Sequence, residues 1–239
     1  MKNLIFTLIV LIVLSSANLF AQHQIDSTEI TSSVPELFEF HDVIYVIWHE
    51  AYPAKDIAAL KSMVDKIKPY MEKINAASLP GILQDKKGKW DEGLKVLNAS
   101  AENYYNAAAG NNDQKMLDAA EKLHADFEMM VRVIRPVAKE VDEYHKILYV
   151  IYHKYFPAKD YTAISGVIDD LIAKAEACVN AKLSKRLESK TDQYKTEAQK
   201  LVEKTKDLKN ALQTNDPEKI NKAVDVMHSQ YQDVEKVFE

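Results

Sequence analysis

The sequence contains little cysteine, little glycine and no surplus of basic residues. Cys178 is the single cysteine, so no disulfide can form within the chain. In the internal alignment given below it takes the place of Ile74, which is typical of a small core residue and not of a nucleophile or a metal ligand. No Cys-x-x-Cys-His run is present, and this excludes ordinary covalent attachment of a c-type haem.

The charge balance argues against a further class of function. The 31 lysines and arginines are outnumbered by 36 aspartates and glutamates, which gives a formal net charge of −5. Nucleic-acid binding needs a basic stripe, and none is visible along the chain. The sequence also has no phosphate-binding loop motif and no recognisable Ser-His-Asp catalytic motif, so we expect no enzymatic activity.

Strands are not predicted for this chain. It has only five glycines, and no segment alternates apolar and polar residues. Apolar residues instead recur at intervals of three and four, as in Leu37, Phe40, Ile44 and Ile47. This spacing predicts an all-α protein.

The N-terminus resembles a secretory signal. A short apolar run, Leu4–Leu14, follows a charged residue and precedes cleavage sites after Ala17 or Ala21. We therefore expect residues 1–21 to be removed and the protein to be exported to the periplasm of a Gram-negative bacterium. A polar, flexible lead-in is expected over 22–34, and no later run is long and apolar enough to span a membrane. In these respects the chain is similar to exported helical proteins of such bacteria.

One stretch occurs twice. The segment FHDVIYVIWHEAYPAKD, from Phe40 to Asp56, returns as YHKILYVIYHKYFPAKD 104 positions later (144 − 40). Shifting the chain by this period aligns residues 36–135 with 140–239 without a gap, and 26 of these 100 positions are identical. Nine of the identities fall within the 16 positions from His41 to Asp56, so this segment has diverged least between the two copies.

The repeat sets the predicted domain organisation. Each copy contains four amphipathic segments separated by short turns, which is typical of antiparallel neighbouring helices. We therefore predict two tandem antiparallel four-helix bundles that arose by internal duplication, over residues 35–136 and 137–239. The region around Pro136 joins them.

Histidines are the most selectively retained residue type. Of the seven in the chain, six pair across the repeat: His41 with His145, His49 with His153, and His124 with His228. Tyr45 and Tyr149 lie midway between the first two histidines of each copy. Exposed histidines would not be expected to survive this divergence so completely, and these positions are therefore the candidate site.

The predicted ligand is a transition metal ion, one in each copy. His41 and His124 fall at similar heights on adjacent antiparallel helices, and His145 and His228 do the same. Two imidazoles with a water or a carboxylate suit Zn²⁺, Cu²⁺ or Ni²⁺. The less certain ligands are Glu121 and Asp225, one turn before the third histidine, and His49 and His153, which lie about 12 Å along the helix from the first histidine.

Two alternatives to the metal site stay open. Each unit resembles the periplasmic b-type cytochromes of the cytochrome b562 kind in size, helix number and the placing of candidate ligands on the first and last helices. That resemblance implies haem b held by His41 and His124, and by His145 and His228, although the first ligand of that family is a methionine. The other alternative is a ligand-free helical scaffold or interaction protein, in which the histidines only pack the seam between helices.

A Pro-Ala-Lys-Asp turn follows the histidines in both copies. Lys55 and Asp56 in the first copy correspond to Lys159 and Asp160 in the second. The proline ends one helix, and the aspartate is expected in the first turn of the next, where the helix dipole favours an acidic side chain. A role for the lysines in gating a ligand is the alternative interpretation, so these four residues are kept as supporting site residues.

Overall fold

The computed structural model describes residues 26–238, and every regular element in this range is helical. The predicted all-α class is therefore confirmed, and the described part of the chain contains no strand. The α-helices are α1 (Pro35–Tyr45), α2 (Ile57–Ser62), α3 (Val64–Ala76), α4 (Lys87–Ala109), α5 (Asp113–Ile134), α6 (Lys139–Val150), α7 (Tyr161–Val179), α8 (Thr191–Gln213) and α9 (Pro217–Lys236). The predicted signal segment lies outside the described residues.

The first helix of each copy, α1 and α6, does not end as an α-helix. Each continues directly into a π-helical segment, Val46–Ala51 after α1 and Ile151–Tyr155 after α6. The Tyr52 amide donates to the carbonyl five residues earlier at 2.9 Å, and the Phe156 amide does so at 2.8 Å. Such segments are rare and occur frequently at functional sites. We call them the first and second π segments.

The Pro-Ala-Lys-Asp turns have the same geometry in both copies. Lys55 has a φ of 50° and Lys159 a φ of 55°, so each lysine adopts the left-handed conformation in which glycine is usually found. Asp56 accepts a hydrogen bond from the Ala59 amide at 2.9 Å, and Asp160 does the same for its own helix. The aspartates are N-caps that lie just before the helix, and not first-turn residues as predicted.

The first copy differs from the second in one helix. The predicted second helix of the first copy is interrupted at Met63, which separates α2 from α3. The equivalent helix α7 runs unbroken. The interrupted helix carries Pro69, whose ring lacks an amide donor and crowds the preceding turn, and the second copy has Ala173 at this position.

Helices α5 and α6 are separate elements. Arg135 is extended, with φ of −73° and ψ of 127°, as expected for a residue that precedes proline. The chain re-enters a helix only at Lys139. A single long helix bent at Pro136 is therefore not formed.

The buried apolar side chains form two clusters. One is built from residues between Val34 and Ile134, and the other from residues between Ala138 and Val237. Large fully buried rings anchor them, and each ring hydroxyl is satisfied: Tyr104 donates to the Leu60 carbonyl at 2.7 Å, and Tyr194 to the Cys178 carbonyl at 2.8 Å. Cys178 itself is buried in the second cluster, as predicted for a core residue.

Two segments of the first half contact the second half. The 3₁₀ segment Gly81–Lys86 packs against α6, and Lys86 pairs with Glu235 of α9 at 3.3 Å. Residues 26–34, predicted as a flexible lead-in, are attached to both halves. Glu29 accepts from the Ile82 amide at 2.8 Å and pairs with Lys154 at 2.8 Å. Among the described residues, no helix is long and apolar enough to cross a membrane.

The corresponding 3₁₀ segment of the second half, Lys185–Lys190, is different. It contains no buried residue, whereas Ile82 and Leu83 of the first segment are 1% and 2% exposed. Arg186 stands at the position equivalent to Ile82. Apolar residues thus stand in the segment that packs against the other half, and the equivalent segment of the second half carries a charged residue at the position of Ile82.

Candidate functional site

Helix α1 and the first π segment present three of the candidate residues on one exposed side. His41, Tyr45 and His49 follow each other at four-residue intervals, and all three are exposed. The Tyr45 and His49 rings lie 4.7 Å apart between centroids. In the second copy the rings of Tyr149 and His153 lie 4.6 Å apart, with the same interplanar angle of 36°.

The third histidine of each copy stacks on an aromatic ring of the π segment. His124 of α5 lies parallel to Trp48, with ring centroids 4.2 Å apart and planes 5° from parallel. His228 of α9 lies on Tyr152 in the same way, at 3.8 Å and 8°. Trp48 and Tyr152 are equivalent positions of the repeat, so this stack is retained although the aromatic residue has changed.

The first histidine of each copy also has an aromatic neighbour on the last helix. The centroids of His41 and Phe127 are 6.0 Å apart, and those of His145 and Tyr231 are 4.6 Å apart. Phe127 and Tyr231 are equivalent in the repeat and were not predicted as site residues. The signal that could have found them is that both positions stay aromatic three residues after the third histidine.

The predicted pairing of His41 with His124 stays a prediction. The first and last helices of each copy lie together, and the His124 ring stacks on Trp48 whereas the His41 ring lies near Phe127. The charges of both His49 and His41 act on His124.

The imidazole nitrogens of these histidines are not used by the protein. In residues 26–238, none of the six imidazoles takes part in a hydrogen bond or an ion pair, and no nitrogen of a partly buried one is fully enclosed. Ring stacking occupies the faces of an imidazole and leaves its nitrogens, which lie at the ring edge, available. The six rings are therefore positioned by aromatic contacts and keep their coordinating atoms accessible.

The two copies present this site differently. In the second copy, His145, His153 and His228 line a cleft of about 290 Å³ together with three tyrosines. The 3₁₀ segment Gly81–Lys86 of the first half forms the opposite wall, through Gly81, Ile82, Gln84 and Asp85. In the first copy, His41 and His49 are exposed and His124 is half-buried. The second site is thus assembled from both halves of the chain.

Burial keeps the second-copy histidines neutral. Burial, followed by the nearby Lys86 and the two other histidines, lowers the pKa of His145 to about 3. Burial also lowers the pKa of His153 and His228, with Lys154 and His153 as the respective further causes. The imidazoles of this cleft therefore stay unprotonated, and able to bind a Lewis acid, at pH values at which an ordinary histidine is charged.

In the first copy, His124 is the histidine whose pKa is lowered in the same way. Burial lowers the pKa of His124 despite the opposing effect of Glu128, and the charges of His49 and, more weakly, His41 add to the lowering. The stronger effect of His49 agrees with the ring contacts, which place His124 beside the first π segment. His49, predicted as the less certain ligand, is thus the histidine most strongly coupled to His124.

The predicted carboxylate ligands are both exposed. Glu121 is exposed and accepts a hydrogen bond from the Tyr52 hydroxyl at 3.1 Å, which raises the pKa of Tyr52. Asp225 is exposed, and its charge acts on His228 by opposing the lowering of its pKa. In the described ranges, no group of three or more His, Cys, Asp or Glu side chains is arranged to hold a metal ion. The described residues therefore contain no complete three-residue set of metal ligands.

No protein-family model matches the chain, and comparisons with curated proteins and with solved structures find no significant match.

Proposed function

We propose that the protein is an exported binding protein built from two copies of a four-helix unit. The separation of the buried side chains into two clusters supports this organisation, since each cluster draws on one copy of the repeat. The equivalent π segments, left-handed lysines and N-capping aspartates support a duplication as their origin. The signal-like N-terminus supports export to the periplasm of a Gram-negative bacterium.

Each copy binds a transition metal ion through a pair of imidazoles. The observation that carries this proposal is the set of six histidines held in equivalent aromatic contacts with no ring nitrogen bonded to the protein. Neutral imidazole is the ligand that Zn²⁺, Cu²⁺ and Ni²⁺ share, and water completes the coordination of a two-residue site. Binding through two protein ligands is weak and reversible, which suits carriage or sensing of an ion and not a buried structural site.

The contacts favour one pair in each copy over the others. His124 lies beside the first π segment, which carries His49, and His228 lies beside the second, which carries His153. His41 and His145 lie nearer the ring three residues further along the last helix. The principal ligands are therefore His49 with His124 and His153 with His228, and His41 and His145 come second.

Isothermal titration of the mature protein with Zn²⁺, Cu²⁺ and Ni²⁺ tests the proposal. The wild type should bind about two ions per chain, and His124→Ala and His49→Ala should each remove one site. His41→Ala should weaken binding less, and Lys66→Ala is the matched surface control. If the double variant His124→Ala/His228→Ala binds all three metals as well as the wild type, the histidines are not ligands.

A ligand-free scaffold is the second candidate, and the stacks themselves favour it. An imidazole packed flat on Trp48 or Tyr152 is already a stable contact and could be retained for packing alone. The same titration separates the two functions, because a scaffold binds no metal while its double variant loses stability. Haem b is the third ligand to titrate, since a Soret band that depends on the histidines would identify the cytochrome-like alternative.

A further inference from the structure

All three arginines of the chain line a single cleft. Arg132 and Arg135 come from the end of α5 and the residue after it, and Arg186 comes from the second 3₁₀ segment. The cleft has a volume of about 940 Å³ and lies where the two halves of the chain join. The other 28 basic residues are lysines (31 − 3), so the convergence of every guanidinium on one cleft distinguishes this region from the rest of the surface.

The positive charges in this cleft are mostly unpaired. Lys139 and Lys182 line it with the arginines. The Arg132 side chain pairs with Glu128 at 3.8 Å, while the side chains of Arg135, Arg186 and both lysines have no ion pair or hydrogen bond within residues 26–238. The cleft therefore holds an excess of positive charge in a protein whose net charge is negative.

The acidic residues of the cleft do not offset this excess. Besides Glu128, the lining contains Asp142. The Asp142 carboxylate pairs with Lys146 at 2.8 Å and accepts a hydrogen bond from Ser32. Its charge is thus partly balanced by Lys146, which lies outside the cleft and also pairs with Glu143 at 2.9 Å.

A helix terminus adds to the positive potential. Helix α6 begins at Lys139, and its N-cap Ala138 has no side-chain acceptor for the amides of the first turn. Both residues line the cleft. First-turn amides without a side-chain cap favour an anion at this place, and Glu140 and Asp142 in the same turn offset part of the helix dipole.

The remaining wall of the cleft is apolar. It is formed by Val131, Pro136, Val137, Leu187 and Phe238. A simple inorganic anion would use the guanidinium groups and leave this wall unused. A ligand with an apolar body would cover it and remove apolar surface from water.

We infer that this cleft binds an amphipathic organic anion, in which a carboxylate or phosphate group is attached to an apolar body. The planar guanidinium groups offer paired donors that match the two oxygens of such a group, which lysines do not. Val131, Leu187 and Phe238 receive the apolar body. The site is separate from the second histidine cleft, because the two clefts have no lining residue in common.

The test is isothermal titration of the mature protein with octanoate, against octanol, octylammonium and inorganic phosphate. The variant Arg132→Gln/Arg135→Gln/Arg186→Gln should bind octanoate at least about tenfold more weakly than the wild type. The control Lys66→Gln/Lys95→Gln/Lys222→Gln removes the same charge from exposed sites outside the cleft and should bind as the wild type does. All three arginines are exposed, so circular dichroism should show an unchanged fold.

The other outcomes are equally decisive. If the lysine control loses as much affinity for octanoate as the arginine variant does, only net charge matters and the inference is overturned. It is also overturned if octanol or inorganic phosphate binds as tightly as octanoate. Co-sedimentation with phosphatidylglycerol vesicles, against phosphatidylcholine vesicles, distinguishes a lipid headgroup from a free anion. Arginine-dependent binding to the anionic vesicles supports the site with a lipid as the source. No binding to octanoate or vesicles overturns the inference.

Discussion

His124 lies flat on Trp48, with ring centroids 4.2 Å apart and planes 5° from parallel. This contact joins the last helix of the first copy to the first π segment, and its equivalent in the second copy has a tyrosine in place of the tryptophan. The stack has the same geometry in both copies although its partner ring differs, and only the histidine is common to both. This indicates that the site requires the imidazole and not a particular partner ring. The aromatic ring serves to hold it.

Replacement of Trp48 tests how much the stack contributes. Trp48→Leu should lower the free energy of unfolding by about 1 kcal/mol beyond the loss of buried area, because aromatic pairing is lost. Trp48→Tyr, which copies the second half of the molecule, should retain most of this contribution. Urea denaturation measures both. An equal cost for the two substitutions would show that ring stacking contributes nothing at this position.

Acid should destabilise the metal-free protein through His145. Its pKa is about 3 in the folded state and about 6.5 in the unfolded chain, so below pH 6.5 the unfolded state binds a proton that the folded state does not. The contribution of His145 to the free energy of unfolding is therefore fully present above pH 6.5 and decreases as the pH falls from 6.5 towards 3. At pH 5 the loss reaches at most about 2 kcal/mol, because His145 is partly open to solvent and the effect is screened.

The substitution His145→Phe should make stability less dependent on pH. The phenyl ring keeps the contact with Tyr231 but cannot take up a proton in the unfolded state. Chemical denaturation at pH 7, 6 and 5 should give a shallower loss than in the wild type, with His41→Phe as the control at the exposed equivalent position. Identical pH profiles for wild type and His145→Phe would contradict the assignment.

Glycine should be favoured at Lys55 and Lys159. Both lysines adopt a left-handed conformation, which costs a non-glycine residue about 1–2 kcal/mol. Glycine avoids this cost but loses more backbone entropy on folding, so only part of it is recovered. Each substitution by glycine should raise stability by about 0.5 kcal/mol, while Lys66→Gly inside α3 should lower it by about 1 kcal/mol. Thermal melting compares them. A destabilised Lys55→Gly variant would indicate that the lysine side chain makes a contact of its own.

The junction between the two halves should be sensitive to one methyl group. A Cβ atom at Gly81 would lie 2.8 Å from Cζ of Tyr149 and 3.3 Å from the Glu29 carbonyl, so Gly81→Ala should cost about 1–3 kcal/mol through overpacking. Gly88→Ala is the matched control in α4, where nothing lies within 4 Å, and it should stabilise by about 0.5–1 kcal/mol.

A double substitution tests the contact between Gly81 and Tyr149. Combining Gly81→Ala with Tyr149→Ala removes the ring that the new methyl group meets, so the pair of substitutions should cost less than the sum of the two single costs. Additive costs in urea denaturation would mean that Gly81 and Tyr149 do not contact each other.

Much of the helical architecture could be predicted from the sequence, because apolar spacing and turn residues are local signals. Leu37, Phe40, Ile44 and Ile47, predicted as the buried stripe of the first helix, are all buried in the first core. The π segments could not be predicted. Their five-residue hydrogen bonds differ from those of an α-helix by one residue, and no residue type marks them.

The candidate site was predictable only in part. The repeat identified the histidines and placed them between the first and last helices of each copy. It did not show that aromatic rings would position them, since Phe127 and Tyr231 occur at core spacing like any other apolar residue. No sequence pattern indicated the arginine cleft, because Arg135 and Arg186 are far apart in sequence and are not related by the repeat.

The central claim is that the imidazoles of both copies bind a metal ion through nitrogens that the protein leaves unused. Nuclear magnetic resonance of protein labelled with ¹⁵N at histidine, recorded during a Zn²⁺ titration at pH 7, tests it most directly. We predict that ring nitrogens of His49, His124, His153 and His228 shift together and saturate at about two ions per chain. Unchanged nitrogen shifts for all four residues at excess Zn²⁺ would contradict the account.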